Sequence, residues 1–271
     1  MPAEAPRGGV RRAAAVWRLA RGPQPALHGE RALLGSAGAI AAFLACLLAV
    51  DRVASYGEQL ALGALTWLVL AAALLRLRPE RVAQVLGVVA FATVAEFTGS
   101  ILWGVYRYRL HNLPLFIPPA HGLVFIAGLA LSRALRRHER ALVAAAAATA
   151  TCWALLGLTV LPRTDLAGAV GVPLLLAFLV GSRNRGLYAS VFFLVACLEF
   201  YGTGIGTWRW AAELPGLGIP DGNPPSGVAS GYVWFDVMAL ATAPPLLRLA
   251  RTGARRASRA PARPLPGSAP A

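Results

Sequence analysis

The sequence predicts an all-α membrane protein of eight transmembrane helices, built as two tandem parallel four-helix repeats with both termini in the cytoplasm. Three observations predict it. Apolar residues fill 57% of 271 positions and the mean hydropathy is +0.58. That exceeds what a soluble core of this size needs, because membrane helices present apolar side chains to lipid as well as to one another. Basic residues cluster beside alternate apolar runs, and a block centred on an acid recurs about a hundred residues further on.

A bilayer core of about 30 Å is crossed by about 20 apolar residues. Eight stretches qualify: 32–50, 59–77, 82–105, 115–134, 141–161, 166–182, 186–206 and 226–249. The sixth is short and carries Pro173, which a membrane helix tolerates where neighbours re-satisfy the freed backbone groups. The chain then divides into a basic cytoplasmic tail (1–31), a first repeat (32–134), a second repeat (135–249) and a disordered basic tail (250–271). Within the first tail, Ala13 to Ala20 suit a short basic helix lying on anionic headgroups.

All 26 basic residues are arginine and the formal net charge is +14. With the N-terminus inside, 21 arginines fall in cytoplasmic segments. Five fall outside: Arg52, Arg107, Arg109, Arg163 and Arg209. This positive-inside bias orients the bundle and suits a bacterial cytoplasmic membrane. A pI near 11.3 also raises nucleic-acid binding, but the arginines flank apolar segments and line no soluble face, so no nucleic-acid partner is expected. Arg7 to Arg31 accompany no short apolar core with a cleavage site, as a secretory signal would. Cys46, Cys152 and Cys197 lie inside apolar runs without a CxxC pair. They read as buried packing residues, not as a disulfide or zinc framework.

The repeat is read from an ordered series of matches. Glu96-Phe97-Thr98-Gly99-Ser100 answers Glu199-Phe200-Tyr201-Gly202-Thr203, 103 residues later. Gly104-x-Tyr106-Arg107-Tyr108 answers Gly206-x-Trp208-Arg209-Trp210 with a slip of one residue, and Leu113-Pro114 and Pro118-Pro119 answer Leu214-Pro215 and Pro224-Pro225. An even number of spans per unit keeps both copies in one orientation, which makes the repeat parallel. Glu96 and Glu199 then lie near midplane, with the aromatic-Arg-aromatic triplets at the outer interface.

Glu96, Glu199 and Asp236 are the acids inside apolar runs. A charge at the bilayer centre costs about 2.5–3.5 kcal/mol on insertion scales, so they are the candidate catalytic groups. The competing reading is a neutral Glu bonded to Ser100, Thr203 or a carbonyl as interhelical glue. Small residues beside each acid, Gly99 and Ser100 or Gly202 and Thr203, allow close helix packing or leave room for a thin ligand. Trp103, Tyr106, Tyr108, Trp208 and Trp210 suit an interfacial aromatic belt, and also the stabilisation of a cation within about 6 Å. Arg107 and Arg209 snorkel to headgroups or hold outer loops. His121, after Pro118-Pro119, joins the candidates. It could ligate a metal with the two glutamates, but no known spacing supports that, and neither a metal nor a cofactor is expected. The outer loop 207–225 reads as a lid or a plain connector.

At these motifs the sequence resembles the integral-membrane carotenoid-biosynthesis family that includes the C50-carotenoid (bisanhydrobacterioruberin) hydratases. The resemblance rests on Glu96, Gly99, Gly104, Tyr106 and Tyr108, then Trp208, Trp210, Gly218, Pro220 and Asn223. It covers 96–122 and 199–231, about a fifth of the chain. Pro224-Pro225 stand where that family has an aromatic after the Asn, and its first-half glycine-proline run is reduced to Leu113-Pro114. The resemblance implies an apolar isoprenoid or carotenoid ligand and acid-initiated hydration or cyclisation of a polyene. Glu96 or Glu199 would be the acid, and Trp103, Tyr106, Tyr108, His121, Trp208, Trp210 and Asn223 would line the pocket. Two other classes remain open from the residues alone, a proton- or cation-coupled transporter and a non-catalytic membrane scaffold. Glu→Gln changes separate the three by product loss, by loss of pH-driven flux, or by a change in stability alone. Substrate identity and oligomeric state are not encoded in any of these features.

Overall fold

The computed structural model describes residues 29–259. Eight helices account for most of it: α1 Glu30–Asp51, α2 Tyr56–Leu74, α3 Pro79–Glu96, α4 Ile117–Ala134, α5 Glu139–Thr159, α6 Leu166–Gly181, α7 Arg185–Ile205 and α8 Val228–Arg259. Helix α3 runs on through a π-helical segment, Phe97–Trp103. Four short strands complete the described residues: β1 Tyr106–Tyr108, β2 Trp208–Trp210, β3 Glu213–Leu214 and β4 Ile219–Pro220.

Helix boundaries follow local chemistry. Ser55 opens α2 with a capping box, its backbone N–H donating to Glu58 and its hydroxyl receiving the Glu58 N–H. Asp165 opens α6 by accepting from the Gly168 N–H at 3.0 Å. Prolines stand in the first turns of α3 and α4, where the missing N–H has no helical partner to lose. The π segment after α3 and the last turn of α7 both stop on a left-handed glycine, Gly104 at φ +77° and Gly206 at φ +82°.

Helices α3, α4, α7 and α8 close into a central ring, with α3 against α4 and α8, and α7 against α4 and α8. Gly128 brings α4 and α7 close: a Cβ there would sit 2.6 Å from Val191. Phe116, Phe125, Phe192 and Leu123 belong to the hydrophobic core and have almost no exposure. Helix α1 packs mainly on α4, α2 on α4, α5 on α6 and α7, and α6 on α7 and α8. Outward faces carry large exposed apolar side chains, among them Val53, Leu75, Val170 and Val180.

The chain is thus all-helical in character, and six of its helices (α1 to α5 and α7) are long and apolar enough to cross a membrane. Helix α6, with Pro173 inside it, has 16 residues. Helix α8 runs to Arg259, ten residues past the boundary expected at 249, because no proline follows Pro245 until Pro261 and the intervening Leu, Ala and Arg are strong helix formers. The expected helix at Ala13 to Ala20, and the tail beyond Arg259, lie outside the described residues. Cys46, Cys152 and Cys197 are exposed, not buried. In a helix that faces lipid an apolar side chain gains nothing further by turning inward.

Candidate functional site

The site begins with how α3 and α7 end. In α7 the N–H of Gly206 and of Thr207 both return to the Gly202 carbonyl. After α3 the N–H of Gly104 and of Val105 return to the Gly99 carbonyl, each across one residue more. The widened π turn absorbs the single extra residue between Glu96 and Tyr106, which is how helices take up a one-residue insertion. The one-residue slip in the sequence match has this structural cause.

After the glycine stops, the chain turns back as β1 and β2, which pair antiparallel: Tyr106 with Trp210, Arg107 with Arg209, Tyr108 with Trp208. Alternation in a strand sends the aromatics of each triplet to one face and the arginine to the other. Arg107 and Arg209 are accordingly exposed. Holding the outer loops falls to two other arginines. Arg109 donates to the Asp51 carbonyl at 2.7 Å and to that of Ala54, and Arg163 donates to the Trp210 carbonyl at 3.1 Å.

The inward aromatics reach back to the two acids. Glu96 Oε2 accepts from the Tyr106 hydroxyl at 2.7 Å and the Tyr108 hydroxyl at 2.6 Å, while its Oε1 lies 2.9 Å from His121 Nε2. Glu199 Oε2 accepts from the indole N–H of Trp208 at 3.0 Å and of Trp210 at 3.1 Å. The two sets touch, with the Tyr106 and Trp210 rings centred 4.5 Å apart. Glu96, Glu199 and His121 are all buried.

The glycines next to the acids have a specific task. A Cβ on Gly99 would stand 3.0 Å from the Tyr106 ring, and one on Gly202 would stand 2.0 Å from Trp208. They leave room for the aromatic side chain that folds back on its own helix, a use distinct from both the helix packing and the ligand space expected. Ser100 and Thr203 bond the backbone carbonyls of Glu96 and Glu199, not the carboxylates.

Other expected residues take different places. Asn223 accepts the Trp210 backbone N–H at 2.9 Å and so steadies β2 from behind. Trp103, half-exposed, donates to the Pro215 carbonyl at 2.9 Å and is committed to the outer loop. Asp236 is buried on α8, one turn beyond Tyr232. It makes no hydrogen bond to either glutamate, and its Oδ2 has no hydrogen-bond partner among the described residues. Nor do three His, Cys, Asp or Glu side chains converge as a metal site among those residues.

Tyr232 is the site residue that sequence reasoning missed. Its ring stacks on His121 at 4.6 Å, and it lies within electrostatic reach of both glutamates. The available signal was its position four residues before Asp236 on the same helical face.

Loop 207–225 is an ordered cover. Strands β3 and β4 pair within it, the Ala211 N–H donates to the Val105 carbonyl, and Asp165 accepts from the Gly222 and Ser226 N–H groups at 2.9 and 2.7 Å. Beside Asp165 sits Asp221, buried. Burial first, then the Asp165 carboxylate, push Asp221 up to about 7 against the pull of Arg163. Burial lowers Arg163 in turn.

A small cavity of about 40 Å³ lies against His121, Tyr232, Trp208 and Phe116. Leu44, Val124 and Leu198 border both it and a larger apolar groove of about 430 Å³ between α1, α4 and α7. Fold and site together define a helical protein with several membrane-length helices and two buried carboxylates, each held by a pair of aromatic donors. In the comparison with known proteins, no family model, no curated protein and no solved structure matches the chain.

Proposed function

We propose that the chain is an eight-span protein of the bacterial cytoplasmic membrane, two parallel four-helix repeats with both termini inside, that hydrates the end of a polyene lipid of the carotenoid or isoprenoid type. The observation that carries this reading is the Glu96 network: a buried carboxylate, two tyrosines and a histidine beside an apolar cavity. The recurrence of the same design around Glu199 supports the duplication. So does the way α3–α8 and α7–α4 exchange when the halves are matched.

Hydration of a trisubstituted alkene needs a proton delivered to its hydrogen-bearing carbon, a tertiary cation held on its fully substituted carbon in an apolar place, and water to capture it. The surplus proton of that water then returns to the site, so that the net change is addition of one water. A desolvated acid–base group supplies the first step and the last. The Glu199 carboxylate, fixed by two indole N–H groups, and the rings of Tyr106 and Trp210 supply negative potential for the cation. Cyclisation would follow the same first step, with an internal alkene replacing water.

Bacteria that accumulate lycopene, a linear polyene with trisubstituted ends, provide the test. Expressing the wild-type chain is expected to yield pigment heavier by one water per modified end. Glu96→Gln, at equal protein level, is expected to lower that yield about 100-fold or more. Unaltered pigment with membrane-inserted wild type would overturn the reading.

A further inference from the structure

Three of the roughly four acceptor positions of the Glu96 carboxylate are in use. Two phenol O–H groups converge on Oε2 and His121 Nε2 meets Oε1. A carboxylate gripped by three donors is an acceptor, badly placed to hand a proton to a hydrocarbon. The histidine differs. Nε2 is committed to Glu96, whereas Nδ1 is buried and has no hydrogen-bond partner among the described residues. His121 is 3% exposed, its ring is clamped between Tyr232 at 4.6 Å and the edge of Phe235 at 5.8 Å, and it borders the small cavity. A buried ring nitrogen without a partner is costly to keep, so its retention calls for an occupant that it serves.

The cavity also has a larger neighbour. Leu44, Val124 and Leu198 form a shared wall between it and the α1/α4/α7 groove, whose lining is apolar and includes the exposed Ala42, Cys197 and Tyr201. A groove of this kind opens sideways, toward lipid, and admits an extended apolar chain without first moving it into water.

Building on the hydration reading, we infer that His121 Nδ1 is the atom that gives the proton to the alkene and takes it back from the captured water, with Glu96 as its fixed counter-group, and that the polyene reaches it from the bilayer through the α1/α4/α7 groove. In the forward step the Nδ1–H bond breaks as a C–H bond forms at the hydrogen-bearing carbon of the alkene, leaving a tertiary cation on the other carbon and a neutral imidazole. Water adds through oxygen, and its surplus proton re-forms Nδ1–H. Glu96 holds Nε2–H throughout, which fixes the ring orientation. Tyr106 and Tyr108 are positioning residues, holding the carboxylate that holds the ring.

The test uses the full chain in lipid nanodiscs with lycopene as probe, in deuterated water. Binding is read from the shift of the polyene absorption, and conversion from deuterium in the product. His121→Gln is expected to bind lycopene within about twofold of wild type and to lose conversion about 100-fold or more. Ala42→Trp, in the groove lining, is expected to weaken binding about tenfold while bound lycopene still converts. If wild type and His121→Gln convert alike, the assignment to His121 fails and the hydration reading stands. If His121→Gln and His121→Asn both lose binding together with conversion, His121 is a structural residue and the assignment is overturned. Binding unchanged by Ala42→Trp overturns the route, and a wild type that neither binds nor converts lycopene overturns the hydration reading and this assignment together.

Discussion

At the scale of single residues, the two glycines beside the acids decide whether the aromatic donors can reach them. Gly202 is the tighter, since a methyl there would overlap the Trp208 ring at 2.0 Å. The indole would have to leave and release its bond to Glu199. Gly202→Ala is therefore expected to destabilise the protein by about 1–3 kcal/mol, the usual cost of overpacking a filled site. Gly204, two residues on, has nothing within 4 Å of its would-be Cβ. There, alanine is expected to be neutral or to stabilise by about 0.5–1 kcal/mol, the helix preference of Ala over Gly. Thermal unfolding of the two variants in one detergent measures the contrast, and equal shifts would refute it. Glu96, Glu199 and the Tyr and Trp pairs were legible in the sequence, because acids in apolar runs and a recurring motif stand out; Asn223 came only from the family resemblance, as a pocket residue, and instead accepts the Trp210 backbone N–H. The Glu96–His121 contact was not, because it joins residues 25 positions apart on two helices whose mutual rotation no local pattern encodes. The partners of Ser100 and Thr203 were misjudged for a simple reason. In a helix their hydroxyls reach the carbonyl four residues back more readily than a side chain.

At the scale of elements, the eight helices appear close to where hydropathy placed them, with α8 longer at its end. The π segment after α3 escaped sequence reading, although its trace was there as the one-residue slip between the motifs. A slip in a repeat can be taken up in a helix or in a loop, and only backbone geometry tells which. The outer loop was equally open between lid and connector. Its two short strands and the bonds from Asp165 make it a fixed roof, and this roof carries the molecule's clearest titration outside the apolar spans. Asp221, raised to about 7 from an ordinary 3.8, holds its proton in the folded protein when the unfolded chain has lost it. Its contribution to stability is full below about pH 4, is lost as pH rises toward about 7, and is level above that. Asn at this position mimics the protonated acid and removes the titration. The melting temperature of wild type relative to Asp221→Asn is expected to fall from pH 5 to pH 7 and then flatten. A difference that is constant across that range would contradict the assignment.

At the scale of the whole molecule, the fold places ionisable groups in an apolar interior, where an ionised group is costly to bury unless it is paired. The central ring of α3, α4, α7 and α8 gathers two carboxylates and one histidine into the interior, and the β1–β2 ribbon closes over them with four aromatic side chains. The outer helices break the symmetry. Helix α1 leans on α4, whereas α5 leans on α6 and α7, and the groove lies on the α1 side, adjacent to the small cavity that His121 borders. The two matching motifs take different partners: Glu96 a histidine and two phenols, and Glu199 two indoles. The exposed apolar faces belong to this scale, and the apolar excess in the composition pointed to them. The different partners of the two acids could not be read from the sequence, because they depend on packing that the matching motifs leave undetermined.

The most direct test of hydration is the origin of the oxygen. Wild-type protein in nanodiscs, incubated with lycopene in water enriched in ¹⁸O, is expected to give an alcohol carrying one ¹⁸O per hydrated end, and Glu96→Gln is expected to give at most a trace. Lycopene recovered unchanged from the wild type, or an alcohol that carries only ordinary oxygen, would contradict the account.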